Sequence, residues 1–290
     1  MISFHFLFSP NGAGKSTSIN MITGELKPTC GSIEVNGIEL SGPKSEFFQK
    51  SCIGRCLQID ALVDYLTPRD HIKILSMIRT DSSDEQIARD TAEAIRNIDL
   101  ERYADREVGK LSGGNRRKLS VALAMLPGSR VIILDEPSTG MDPVTRRSLW
   151  NAIHREYSKE GRTVLLTTHS MEEAETVCSN IGIIAGGLLR CYGSVQHLKS
   201  VYSDGYHAII ELHNGADMQK CDEFIMSVCK NGQGRLIDAT GRKRTYVIGK
   251  NVSLGELFER IENEKERIGI DTYMVTQTSL EDVFLTLIRG

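Results

Sequence analysis

The chain has 290 residues, 40% hydrophobic and 25% charged, with a formal net charge of −3. This is ordinary globular composition, enough for a sizeable core, and the length suggests one domain of usual size plus a small one. The charge argues against a general affinity for nucleic acid, and no apolar run approaches the roughly 20 residues that cross a bilayer. Seven cysteines, at 30, 52, 56, 178, 191, 221 and 229, contain no C-x-x-C pair. They read as reduced residues rather than zinc ligands or disulfides. The N-terminus lacks the basic region and small-residue cleavage site of a signal peptide.

The apolar run 2–8 ends in SPNGAGKST, residues 9–17, and leads into KSTSINMITGEL, where Ile19, Ile22 and Leu26 recur at helical spacing. Strand, glycine-rich turn and helix in that order are the context a phosphate-binding loop requires. Gly12 and Gly14 let the backbone bend until successive N–H groups converge on phosphate oxygens, with Pro10, Asn11, Ala13 and Thr17 in the same loop. The helix that follows offers the positive end of its dipole to the same anion. Lys15 would reach the β- and γ-phosphates and Ser16 would place its hydroxyl on Mg²⁺. Ser9 stands where the usual pattern begins with glycine. A loop of this kind identifies a nucleoside triphosphate and nothing narrower.

Further along, residues 31–40 (GSIEVNGIEL) alternate and turn at Asn36-Gly37, a hairpin signal. Residues 51–58 read as a short strand. Thr67-Pro68-Arg69-Asp70 starts a helix with a cap, a proline at the first helical position and an acid three residues on. Helical periodicity runs to Ile78 and again over 83–98. Residues 111–126 open with LSGGN and continue as a helix that Pro127-Gly128 ends. The continuous apolar run 131–134 marks a buried parallel strand. Asp142-Pro143 begins another helix, which stops at Gly161. Residues 163–168 form a second buried strand closing on His169, and 171–179 a short helix. Alternating strands and helices predict an α/β parallel sheet, and the strand-free block 70–111 a helical insertion.

SPNGAGKST, Gln58, LSGGN, VIILDEP, STGMDP and TTH, in that order, resemble the nucleotide-binding domain of an ABC transporter. The longer strings LSGGNRRKLSVA and TVLLTTHSMEEAE resemble the A subfamily, whose members move or flip lipids. The resemblance covers residues 2 to about 200. It implies a P-loop NTPase of ABC ATPase type with a helical subdomain at about 60–127, within a domain spanning 1–203. It also implies ATP and Mg²⁺ as cofactors. Asp135, closing the apolar strand, would hold Mg²⁺ through water, and Glu136 would polarise the attacking water. His169 resembles the switch histidine that contacts the γ-phosphate. Gln58 resembles the glutamine that joins the Mg²⁺ shell and senses the transmembrane partner. Ser112 can cap the following helix while Gly113 and Gly114 leave its first N–H groups uncovered, a second anion site. In ABC proteins that site closes on ATP held by the other domain, so a head-to-tail dimer with two ATPs between the subunits follows. Gly140-Met141-Asp142 resembles the loop along that seam; Asp142 reads equally as the cap of the Pro143 helix.

Only fourteen residues precede Lys15, so the adenine-stacking aromatic of family members, and its strand, are missing. Phe4, Phe6 and Phe8 read as core of the first strand. The transmembrane part that the A subfamily carries ahead of this module is absent too, so the expectation is an N-terminally truncated piece of a longer transporter. The hairpin at Asn36 would then lose strand partners and expose an edge. From about Asp204 a second unit, 204–290, reads βαββαβ: strand 206–212, helix 217–229, strands 234–239 and 244–248 turning at Gly241, helix 253–268, strand 271–276. This is the ferredoxin-like split βαβ, followed by a helix that Ser279 caps. The unit resembles the regulatory domain behind A-subfamily nucleotide-binding domains. The sequon Asn251-Val252-Ser253 reads as unused.

The implied function is an ATP-binding and ATP-hydrolysing engine that couples dimer closure to transmembrane, lipid-type transport. It would sit at the cytoplasmic face of a membrane, partnered by a transmembrane domain and a second nucleotide-binding domain, without nucleic acid. Two alternatives stand beside it. A soluble ABC ATPase acting on ribosomes or DNA would usually carry paired ATPase domains or long coiled coils. A nucleotide-dead fragment would fit Ser9 and the missing adenine platform.

Overall fold

Apolar runs bounded by turns suit strands covered on both faces, and a six-stranded sheet of such runs organises the first part of the chain. The computed structural model describes residues 3–8, 12–35, 37–40, 52–157, 162–168, 170–203, 205–229 and 234–289. The chain forms two compact units, Met1–Val195 and Gln196–Gly290.

The first unit runs β1 (Ser3–Phe8), α1 (Lys15–Ile22), β2 (Glu34–Val35), β3 (Ile38–Glu39) and β4 (Ile53–Cys56). Then come α2 (Pro68–Arg79), α3 (Asp84–Asn97), α4 (Gly113–Ala124), β5 (Val131–Asp135) and α5 (Pro143–Tyr157). It closes with β6 (Thr163–Thr167), α6 (Met171–Val177), β7 (Asn180–Ala185) and β8 (Leu188–Gly193). The sheet order is β4-β5-β6-β1-β7-β8. Every neighbouring pair is parallel except β7–β8. Parallel neighbours put the carboxyl ends of β1, β5 and β6 on one edge, where ligands of open α/β sheets bind. Ile132, Ile133 and Leu134 are fully buried. Ile19 anchors α1 to this sheet through Ile53 and Ile133.

Several expectations needed adjustment. α1 stops at Ile22: the Thr23 N–H and hydroxyl both bond the Ile19 carbonyl, and Gly24 takes a left-handed φ of 79°. Leu26 therefore lies beyond the helix and is exposed, despite its spacing. The β7–β8 hairpin was not anticipated, although Gly186-Gly187, both at positive φ, mark its turn. β2 and β3 pair only with each other among the described residues, Glu34 with Glu39 and Val35 with Ile38. Asn36, residues 158–161 and the side chains of Phe4, Phe6 and Phe8 lie outside the described part. All seven cysteines are free thiols.

The block between β4 and β5 is helical. Thr67 and Asp70 cap α2 reciprocally, and Ser83 caps α3. α4 lies so close to β4 that a Cβ at Gly54 would sit 1.7 Å from the Ala124 carbonyl oxygen.

The second unit holds α7 (Val195–Tyr202), β9 (Gly205–Leu212), α8 (Met218–Val228), β10 (Gly234–Thr240), β11 (Lys243–Gly249), α9 (Leu254–Ile268), β12 (Ile270–Gln277) and α10 (Leu280–Arg289). The strand order β10-β11-β9-β12, antiparallel throughout, is that of a ferredoxin-like α+β domain. Ile210, Ile225, Tyr246, Leu257 and Ile261 form its core. The Tyr246 hydroxyl donates to Asp222 Oδ1 at 2.6 Å, which satisfies the one polar atom of a fully buried ring. α7 starts at the division between units, before residue 204, and Lys250 Nζ reaches the Ser200 carbonyl. The unit thus begins with a helix that the strand pattern from residue 206 does not announce.

Gly54→Ala forces backbone against backbone, and overpacking of this kind costs about 3 kcal/mol or more. Urea denaturation should show the midpoint falling accordingly; an unchanged midpoint would mean that α4 and β4 are not this close.

Candidate active site

Three parallel strands deliver the polar groups. β1 leads into the loop that ends at Gly14, β5 ends at Asp135 and β6 at Thr167, with Asp135 and Thr167 paired in register. Gly14 caps α1 at φ 110°, ψ 7°, and no side chain caps that helix. Only glycine takes this conformation without strain. The first N–H groups of α1 are thus left for a ligand or water. Ala13 is buried there, whereas Gly12, Ser16 and Thr17 are exposed. Pro10 and Asn11, like Ser9, lie outside the described residues.

Lys15 is half-buried. Burial holds its proton affinity below the ordinary lysine value, while the Glu136 and Asp135 carboxylates pull in the other direction. The structure therefore brings Lys15 and both predicted acids into one electrostatic neighbourhood. The Thr167 hydroxyl donates to Asp135 Oδ1 at 2.6 Å. The Glu136 N–H donates to the Thr167 carbonyl and hydroxyl, each at 3.1 Å. Glu136 is 7% exposed, accepts the Thr139 hydroxyl at 3.2 Å on Oε2, and has φ 51°. A non-glycine residue held there costs on the order of 1 kcal/mol, strain that gathers at functional sites.

Ser112 caps α4, its Oγ accepting from the Asn115 N–H at 3.3 Å. Among the described residues no hydrogen bond joins residues 112–114 to residues 12–17. A Cβ at Gly114 would meet Thr145 Cγ2 at 3.1 Å, whereas one at Gly113 would meet nothing within 4 Å. Among the described residues nothing packs closely enough on Gly113 to require a glycine. Asp142 is the cap of α5, with Oδ1 accepting from the Val144 and Thr145 N–H groups at 3.1 and 3.0 Å. Gln58 is exposed just after β4. His169 lies outside the described residues, between β6 and α6.

Two residues absent from the sequence reading tie these pieces together. Glu173 Oε2 accepts the Ser138 hydroxyl at 2.8 Å and the Thr168 hydroxyl at 2.9 Å, and its Oε1 lies 3.4 Å from Arg146 Nε. Arg146 Nη2 in turn donates to the Met141 carbonyl at 3.2 Å. Arg117 of α4 reaches the loops after both β4 and β5. The available signal for Arg117 was a charge sharing a helical face with Val121 and Ala124. For Glu173 there was only an acid in a first turn.

The residues present fit a nucleoside triphosphate: uncapped helix amides, an adjacent lysine and facing carboxylates. Among the described residues no three His, Cys, Asp or Glu converge to hold a metal alone. Mg²⁺ suits such a place, since it keeps waters and draws ligands from phosphates and one or two protein groups. Ser16 and Asp135 could serve.

A phosphate loop after β1, acids ending β5 and an LSGG-capped helix in an inserted helical block define an ABC-type ATPase domain. The comparisons agree for the first unit, which contains an ABC transporter domain. Residues 3–139 match the family model for the ABC transporter. The chain is 38% identical over 285 residues to human ATP-binding cassette sub-family A member 2, covering 98% of this chain and 11% of that protein. It is 37% identical over 278 residues to the human phospholipid-transporting ATPase ABCA3, covering 95% and 16% respectively. It therefore spans only a small part of these relatives. A dimeric ATP-binding cassette solved in a post-hydrolysis state with ADP and Pi shares the fold, with TM-score 0.60, 24% identity and coverage of 66% of this chain and 85% of that one.

At position 136 the left-handed backbone makes a sharp expectation. Glu136→Gly should be more stable than Glu136→Ala by about 1 kcal/mol, since both lose the carboxylate and only alanine is strained. Equal thermal midpoints would contradict the strain.

Proposed function

We propose that this chain is the ATP-binding and ATP-hydrolysing engine of an A-type ABC transporter, driving transmembrane, lipid-type cargo movement from the cytoplasmic face of a membrane. The observation that carries this reading is the meeting of Lys15, Asp135 and Glu136 at the carboxyl ends of β1 and β5. Lys15, with the backbone of residues 10–17, would hold the phosphates. Ser16, Asp135 and Gln58 would complete the Mg²⁺ shell, which screens the phosphate charge when it is bound. Glu136, braced by Thr139, would orient and deprotonate the attacking water, and His169 would contact the γ-phosphate.

Ser112, Gly113 and Gly114 support a second role. They form an exposed helix N-terminus, hydrogen-bonded to nothing in residues 12–17, with an unexplained glycine at its tip. A second nucleotide-binding domain, head to tail, would bring that terminus onto the ATP of its neighbour. Burying a triphosphate between two such termini balances its charge better than either alone. Closure would then require the γ-phosphate and reverse after its loss.

The chain has no described helix long and apolar enough to cross a membrane, so a transmembrane domain, on the same longer chain or separate, would be the driven part. The segment after Gln58 offers it two exposed apolar side chains, Ile59 at 82% and Tyr65 at 78%. The ferredoxin-like unit would be regulatory. The net charge of −3 favours no nucleic-acid partner.

Two substitutions test the reading. Glu136→Gln should bind Mg-ATP within about twofold of wild type and lose about a hundredfold or more in turnover, in line with general-base loss; wild-type turnover would remove Glu136 from the chemistry. Ser112→Arg should leave Mg-ATP binding to the isolated chain intact while abolishing ATP-dependent dimers in light scattering. Dimers that persist would remove this helix end from the shared site.

A further inference from the structure

We propose that Arg117 is the positioning residue that sets Gln58 and the Asp135–Glu136 pair against each other, so that the loop after β4 reports to the hydrolytic carboxylates through one guanidinium. This deepens the ATPase reading above and rests on it. The argument is one of geometry. Arg117 is 6% exposed on α4. Its Nη1 donates toward the loop after β4: to the Leu57 carbonyl, to the Gln58 carbonyl at 3.4 Å and to Asp60 Oδ1 at 3.0 Å. The other side of the fork serves the loop after β5. Nη2 donates to the Asp135 carbonyl at 2.5 Å and the Glu136 carbonyl at 2.9 Å, and Nε to the Pro137 carbonyl at 3.2 Å.

A guanidinium is planar and always charged, with donors in a fixed fork. Neither loop can move relative to the other without breaking one side of it. The acceptors are main-chain carbonyls of the residues that carry the chemistry, so a shift of the β4 loop is passed to the backbone of Asp135 and Glu136 rather than to a distant surface. Asp60 is the only carboxylate of the set and supplies the charge partner at the loop end. Next to it Ile59 is almost wholly exposed, so a partner pressing on that side chain pushes on the Arg117 anchorage. Neighbouring Arg116 makes a different connection, to Asp64 Oδ1 at 2.6 Å and the Val108 carbonyl. It leaves the β5 loop alone and serves as the control.

The test uses the 290-residue chain as wild type, Arg117→Lys, Asp60→Asn and Arg116→Lys. Lysine keeps the charge and loses the fork. Arg117→Lys should bind Mg-ATP as wild type does, with KM unchanged, and lose about tenfold to a hundredfold in kcat, the range for supporting-shell changes. Without nucleotide, amide exchange should quicken about tenfold in peptides spanning 57–60 and 135–139 together. Asp60→Asn should show both effects more weakly, and it decides the matter if Arg117→Lys does not fold. Arg116→Lys should show neither. A variant with a lowered melting temperature but wild-type kcat and wild-type exchange in either segment overturns the proposal, leaving Arg117 merely structural. Should wild type bind ATP without turning it over, the ATPase reading fails by itself, and coupled exchange of the two segments still decides whether Arg117 joins them.

Discussion

A half-buried ammonium beside two carboxylates at the open edge of a parallel sheet is the arrangement on which the rest of this chain depends. Burial disfavours the charged lysine and the carboxylates favour it; at Lys15 burial has the larger effect. Charge at this half-buried position is therefore more costly than in open water, and an added anion is felt more strongly there. Uncapped amides at the start of α1 add positive potential at the same place.

Such a site requires loops that keep their shape without a covering core. Strand ends leave carbonyls that need donors, and those of Asp135, Glu136 and Pro137 each accept from one side chain, Arg117, while the Thr139 N–H adds a second bond to the Glu136 carbonyl. Glu173 does the complementary work for hydroxyls, gathering Ser138 and Thr168 and, through Arg146, the carbonyl of Met141. The strained backbone of Glu136 persists because its N–H, carbonyl and carboxylate are each held from a different direction. On the proposed reading, fixing the carboxylate in this way would prepare it for a reacting water before any substrate arrives.

What the sequence made legible follows from the range of the interaction involved. Local caps were readable because both partners lie within one turn: Thr67 with Asp70, Ser279 with Asp282. The buried strand ending at Asp135 was readable from its unbroken apolar run, and the βαββαβ order of the second unit from alternation and turn glycines. Arg117 and Glu173 were not readable, because their partners are backbone or hydroxyl atoms brought close only by the sheet. Leu26 shows the opposite failure, a correct periodicity cut short by Gly24. Gly113 lies between: its place in LSGG marked it, but only the space around its Cα shows that nothing among the described residues demands a glycine.

The most direct measurement is calorimetric titration of Mg-ATP into the wild-type chain and into Lys15→Ala. The account predicts saturable binding to wild type, weakened about a hundredfold or more when the Lys15 ammonium is removed, as expected for a lost charge-assisted contact. Equal affinity in the two proteins would place the nucleotide elsewhere and contradict the account at its centre.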